Sequence, residues 1–194
     1  METKEITLQT YTYDELSEEA KEEAIEEMSD INTDFEWWDY DGHLDLSVKE
    51  MKDRHITDGE YPESLLFSHK HLYFDVDRGQ YIQFDGLTVN NDNVFRKSLR
   101  ISKSLWENCQ YSFESPRNSN TRLVIESLDR DFTPKQQAIV DRAIDIFSDK
   151  VHEAWVNLRN TYEYEVSKEG IEETIRINDY RFYEDGKRSK TIYA

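Results

Sequence analysis

After Thr133-Pro134 the apolar residues Val140, Ala143, Ile144, Phe147, Val151, Trp155, Leu158 and Tyr162 return every three or four positions. That spacing puts them on one stripe of an α-helix. Threonine caps helices well, and proline suits the first helical position, where its missing N–H would have no intrahelical partner. The run predicts one helix of about 30 residues, ~45 Å long. A helix of that length with one dry face needs a second layer to cover it. Alternating segments elsewhere provide candidates. Leu72, Phe74 and Val76 alternate, Asp77-Arg78-Gly79 turns the chain, and Tyr81 to Phe84 bring it back as a hairpin. "QYSFES" and "TRLVIESL" read as two more strands joined by "PRNSN", and "EITLQTYTY" over residues 5–13 as another. "TDGEYPES" over 57–64 is a loop, and "GLTVNNDNVFRKSLRIS" is ambiguous. A short last helix over "SKEGIEETIRIND" leads to a C-terminal hairpin around Asp185-Gly186. The expected fold is α+β: acidic N-terminal helices, a central antiparallel sheet, one long helix packed on it, and the C-terminal hairpin. With 194 residues and no internal repeat, a single domain over 1–194 is expected, with 14–55 as an acidic helical subregion.

Charge is the second constraint. The chain carries −18, yet residues 14–45 hold 14 Asp or Glu against Lys21 alone, or −13, leaving −5 for all the rest. Within that stretch Leu16, Ala20, Ala24 and Met28 recur every fourth residue, with Ile25 and Ile31 beside them, which predicts an amphipathic helix over 15–29. Asp14 or Ser17 can cap it, and acids in its first turn suit the helix dipole. Opposite the apolar stripe lie two acidic rows: Glu15, Glu19, Glu23 and Glu27, then Glu18, Glu22, Glu26 and Asp30. Like charges at i,i+4 cost roughly 0.2–0.5 kcal/mol per pair. A second helical stretch capped by Thr33 or Asp34 extends the anionic zone through Asp34, Glu36, Asp39, Asp41 and Asp45. Its apolar mass is Phe35, Trp37, Trp38 and Tyr40, with Gly42 as an interruption. Such a run is ordinarily just the wet face of a helix. Its functional reading is a surface that a basic groove could take for nucleic acid, since duplex DNA carries one phosphate per ~1.7 Å of axis. An acidic chain should avoid nucleic acid and anionic membranes and attract basic partners.

Catalytic signatures are missing from the sequence. There is no glycine-rich phosphate loop, HExxH, GxSxG or CxxC. His69 and His71 in "HKHLYFDVD" are spaced to share one side of a strand, which suits a shared metal, but no third nitrogen or sulfur ligand stands near them. "DYDGHLD" and "DVDRGQYIQFDG" resemble calcium loops, yet the fifth ligand positions are His43 and Gly79. Cys109, the one cysteine, sits among aromatics and reads as a buried thiol rather than a nucleophile. One cysteine excludes an internal disulfide and fits a reducing cytosol. The first residues, "METKEITLQT", carry no apolar run of the kind a signal peptide or membrane span needs. No metal, cofactor or catalytic residue is expected.

"YTYDELSEEAKEEAIEEM", "FEWWD" and "GIEETIRINDYRFYEDGKR" together resemble a family of small bacteriophage accessory proteins, some labelled antitoxin-like. Members open with a strand leading into a Leu-Ser-Glu-Glu-Ala helix and close with a short helix and an Asn-x-Tyr-x-Phe-x-x-Asp-Gly hairpin. The resemblance implies a phage protein acting in the cytoplasm of an infected bacterium, and it brings no catalytic residues. Joined to the charge pattern, it leads to an expected inhibitor of a bacterial defence system. That inhibitor would bind a host protein with a basic, nucleic-acid-binding surface, by mimicry toward a nuclease or CRISPR effector. It would touch neither nucleic acid nor membrane directly. The expected binding residues are Glu15, Glu18, Glu19, Glu22, Glu23, Glu26, Glu27, Asp30, Asp34, Glu36, Asp39 and Asp41. Two alternatives stand beside it: an antitoxin-like protein neutralising a small toxin, and a metal-dependent enzyme using His69 and His71.

Overall fold

The computed structural model describes residues 9–34, 41–45, 65–76 and 78–189. In chain order the elements are β1 (Tyr11–Thr12), a 3-10 turn (Tyr13–Glu15), α1 (Glu18–Glu27), a second 3-10 turn (Asp41–Leu44), β2 (Phe67–Ser68), β3 (His71–Asp75), β4 (Tyr81–Asp85) and β5 (Thr88–Val89). They continue with α2 (Asp92–Ser98), α3 (Lys103–Trp106), β6 (Cys109–Glu114), β7 (Arg122–Ser127), α4 (Pro134–Glu165), α5 (Lys168–Ile177) and β8 (Arg181–Phe182). The expected mixture of helix and antiparallel strand is present. The strands pair as four two-stranded ladders: β1–β8, β2–β5, β3–β4 and β6–β7. Among the described residues no helix is long and apolar enough to cross a membrane. The chain divides into two compact units, one from Trp38–Arg159 and one from Met1–Trp37 together with Asn160–Ala194.

The unit from Trp38–Arg159 holds both sequence-legible hairpins. β3 and β4 pair Leu72 with Phe84 and Phe74 with Ile82, and Leu72, Ile82 and Phe84 are buried. Asp75 shapes the intervening turn, its Oδ1 accepting from the Arg78 and Gly79 amides at 2.9 and 3.2 Å. The loop after β6 completes the polar accounting of β4. Thr121 N–H donates to the Ile82 carbonyl, Asn120 Oδ1 accepts from Ile82 N–H, and Thr121 Oγ1 accepts from Phe84 N–H. An edge whose N–H and C=O groups would otherwise be buried and unpaired is thereby satisfied, and the two hairpins are joined. α4 packs on these strands as the expected spine. It buries Val140, Ala143, Phe147, Val151, Ala154, Trp155 and Leu158. Phe147 meets Phe67 and Phe113 with ring centroids 6.3 and 5.3 Å apart, and Trp155 donates its indole N–H to the Asp75 carbonyl at 3.0 Å. Its start is a reciprocal cap: Gln136 Oε1 accepts from both the Thr133 amide and the Thr133 hydroxyl. The ambiguous stretch resolves into β5 and α2, with Asn91 capping α2 through the Val94 amide at 3.1 Å.

The other unit joins the two ends of the described chain. β1 pairs antiparallel with β8, Tyr11 opposite Phe182. Its core is Tyr13, Leu16, Ala20, Ala24, Met28, Ile171, Ile175 and Phe182. The strand expected over 5–13 ends at Thr12, and the helix expected over 15–29 runs only from Glu18 to Glu27. One local exchange explains both shifts. The Glu15 carboxylate reaches back to the Thr12 amide and hydroxyl at 2.7 and 2.8 Å, closing a 3-10 turn, and Leu16 then leaves it in extended conformation. Ser17 caps α1, its Oγ accepting from the Ala20 amide at 3.2 Å. Ser167 caps α5 in the same way, and the Asn32 amide donates to the Glu165 carbonyl at 3.0 Å. After β8 a tight turn forms, with Tyr183 N–H donating to the Lys187 carbonyl and Gly186 N–H to that of Tyr183.

Candidate acidic docking face

α1 turns by about 100° per residue, so Glu19, Glu22, Glu23 and Glu26 share the side opposite the buried Ala20 and Ala24. All four side chains are exposed. Their spread from Glu19 to Glu26 is about 10 Å of helix axis at ~1.5 Å per residue. The helix beneath them is fixed by its cap, by the core stripe, and by the turn after β8. Gly186 (φ +86°) lies so close to α1 that a Cβ there would stand 2.2 Å from the Ala20 carbonyl oxygen. Arg188 N–H donates to Glu27 Oε2 at 2.7 Å.

Among the described residues the cations of this unit pair with the flanks of the face and not with its centre. Glu18 pairs with Lys21 at 2.8 Å, and that hydrogen bond is the main reason its carboxyl is held below the usual range. Glu15 is also held low, first by the bonds from Thr12, and Arg181 stands 3.9 Å away. Asp14 pairs with Arg176 at 3.2 Å, and the same guanidinium bonds Glu172 at 3.1 Å and covers the Tyr13 ring at 5.1 Å. Tyr13 donates its hydroxyl to Glu172 at 2.9 Å, and burial, then that carboxylate, raises the phenol's pKa. Lys168 stands 3.9 Å from Glu172, Lys187 pairs with Asp185 at 3.1 Å, and Arg188 stacks over Tyr180 at 4.0 Å. Among the described residues, none of these cations reaches ion-pair distance of Glu19, Glu22, Glu23 or Glu26.

The residues expected to bind a partner fall in several local settings. Glu15 is not in the helical row; it belongs to the 3-10 turn. Glu18 and Glu27 are on α1 but already engaged. Asp30 and Asp34 are exposed in the turns beyond α1. Asp41 stands in the second 3-10 turn, within the other unit. Asp45 turns inward, its Oδ1 accepting from the Leu66 and Phe67 amides at 2.8 and 3.3 Å. Glu36, Asp39, Phe35, Trp37, Trp38 and Tyr40 lie outside the described residues, as does the loop expected over 57–64. Sequence reasoning missed the cationic border formed by Arg176, Arg181, Lys187 and Arg188. The signal was available in "RFYEDGKR", where basic residues flank the Asp-Gly turn.

The other candidates are His69, His71, Asp75 and Cys109. β2 ends at Ser68 and β3 begins at His71, so His69 and His71 do not share one continuous strand face. His69 sits edge-on to Phe84 at 5.3 Å, and His71 is exposed. Among the described residues no group of three or more His, Cys, Asp or Glu is placed to hold a metal ion. Asp77 lies outside the described residues, and Asp75 is engaged in its own turn. The Cys109 thiol donates to the Leu105 carbonyl at 3.1 Å and burial pushes its pKa up, the opposite of an activated thiolate. No family model, curated protein or solved structure matches the chain.

Proposed function

We propose that this chain is a non-catalytic binding protein whose α1 face docks on a basic surface built for nucleic acid, as a phage-encoded inhibitor of a bacterial defence system. One observation carries the reading. Among the described residues six cations stand in the same unit as α1, and each pairs with a flanking acid or covers an aromatic ring, while none of them reaches ion-pair distance of Glu19, Glu22, Glu23 or Glu26. Stability alone would favour a Lys among them, because like charges at i,i+3 and i,i+4 repel. Carboxylates retained at such a cost, on a helix clamped from its buried side, are suited to recognition by a partner. Four charges over about 10 Å of axis are of the same order of linear density as a duplex, at ~1.7 Å per phosphate. The field they make would also raise the rate of encounter with a cationic groove. The phage setting rests on the resemblance at the two ends of the sequence.

The test is capture from a bacterial lysate by the tagged wild type and by the E19K/E22K/E23K/E26K variant. The expected result is a nucleic-acid-binding protein held by the wild type, released by added duplex DNA, and lost by the variant while its helical content persists. A folded variant that captures the same protein, insensitive to DNA and salt, would contradict mimicry and favour the hydrophobic contact of an antitoxin-like partner.

A further inference from the structure

β6 and β7 form the longest ladder among the described residues, six residue pairs from Cys109–Ser127 to Glu114–Arg122. Its hydrogen-bonding parity is fixed at one end, where Leu128 N–H donates to the Asn108 carbonyl. From there, in steps of two, Gln110, Ser112 and Glu114 exchange bonds with β7. Cys109, Tyr111 and Phe113 therefore aim their N–H and C=O groups the other way. The same parity turns Thr121 away from β6, and its N–H donates to the Ile82 carbonyl of β4. The two strands manage their outer edges differently. On β4 the outward groups of Ile82 and the Phe84 amide are taken by Asn120 and Thr121. On β6, among the described residues, no backbone or side-chain group bonds the outward amides and carbonyls of Cys109, Tyr111 and Phe113. Gln110, Ser112 and Glu114 are exposed, and the three residues alternating with them are half-buried. Proteins blunt an open edge with a lysine, a proline or a bulge. β6 has none of these: its ladder runs without interruption, and its one charge is Glu114.

Charge selects the occupant. The chain carries −18, so two copies repel over most of their surface. The hairpin over 109–127 is an exception, with Glu114 and Glu126 balanced by Arg117 and Arg122. Antiparallel pairing of β6 with itself about Ser112 sets Tyr111 opposite Phe113 of the other copy, so that outward groups meet outward groups. It also sets Gln110 opposite Glu114, an amide facing a carboxylate rather than a like charge. We infer that the outer edge of β6 pairs with the same edge of a second copy of this chain, antiparallel about a two-fold axis at Ser112, in the order β7–β6–β6–β7. An isologous contact of this kind closes on itself and leaves no further edge of β6 open. It is a strip of backbone bonds rather than a broad apolar surface, so the dimer is weak and concentration-dependent. The net charge of both copies opposes it, so it strengthens as salt screens that charge. β6 belongs to the unit Trp38–Arg159, and the inference makes no use of α1.

The test is sedimentation equilibrium of the full chain, with amide hydrogen exchange measured over the same concentration series. The mass is expected to rise from 23.2 kDa toward twice that value as concentration and salt increase. In step with it, the Tyr111 and Phe113 amides should gain protection, while those of Gln110 and Ser112, already bonded within the hairpin, should not change. Ser112→Lys and Ser112→Glu each set like charges face to face on the axis, and each is expected to weaken self-association by about five-fold. An equimolar mixture of the two folded variants should recover it, because the introduced lysine then faces the introduced glutamate. A chain that stays monomeric throughout leaves this edge to some other strand and overturns self-pairing. Association without protection at Tyr111 and Phe113, or variants that associate no better mixed than alone, would overturn it as well.

Discussion

Gly186 shows how much of this molecule is decided by single residues far apart in sequence. Gly186→Ala adds a methyl at a φ of +86°, directed at the Ala20 carbonyl. The turn must lift from α1, and the expected loss is about 1–3 kcal/mol in chemical denaturation. Tyr111 makes a pH prediction. Burial, followed by Asp92, pushes its phenol up to about 12, whereas an unfolded tyrosine ionises near 10. Between those values the unfolded chain has released a proton that the folded one still holds, so stability should fall as pH rises from about 10 to 12. Tyr111→Phe should flatten that fall in a series of thermal melts, and an unchanged slope would remove Tyr111 as its cause. At this scale the sequence was half legible. Thr133 and Pro134 announced the start of α4, and Ser17 was recognisable as a cap. Nothing in the order of residues said that Glu15 would turn back to Thr12 rather than join the helix, because both choices satisfy its carboxylate locally.

Among the elements, α1 carries its acids at a cost in stability. Ser17→Ala removes the acceptor for the Ala20 amide and should cost about 1 kcal/mol. E19Q/E22Q/E23Q/E26Q removes six repelling i,i+3 and i,i+4 pairs within α1, 18–22, 19–22, 19–23, 22–26, 23–26 and 23–27. It should raise the stability measured at low salt by about 1 kcal/mol. The gain should shrink as salt screens the charges, and a variant less stable than wild type would mean that the carboxylates support the fold rather than load it. Periodicity made α4 and the β3–β4 and β6–β7 hairpins legible, since one buried face imposes a repeat of 3.6 or 2 over many residues. β1, β5, β8 and α3 are two to four residues long, too short to impose any repeat. α2 hid behind the polar "NNDN", whose first residues end β5's loop and whose Asn91 is the cap.

For the whole molecule, the decisive contacts are non-local. β1 meets β8 across most of the chain, and that closure delivers the cationic residues 176–188 to the border of an acidic helix near the other end. The sequence sets 14–55 apart as an acidic helical subregion; within it α1 belongs to one compact unit and the Asp41–Leu44 turn to the other. Among the described residues of the unit that holds α1, four exposed carboxylates stand between flanks paired with cations. The most direct measurement of their role is the ionic-strength dependence of affinity for the captured partner, compared between wild type and E19Q/E22Q/E23Q/E26Q. Wild-type affinity should fall steeply as salt rises, with the variant weak and nearly flat throughout; parallel curves of similar affinity for the two folded proteins would show that no partner reads this face.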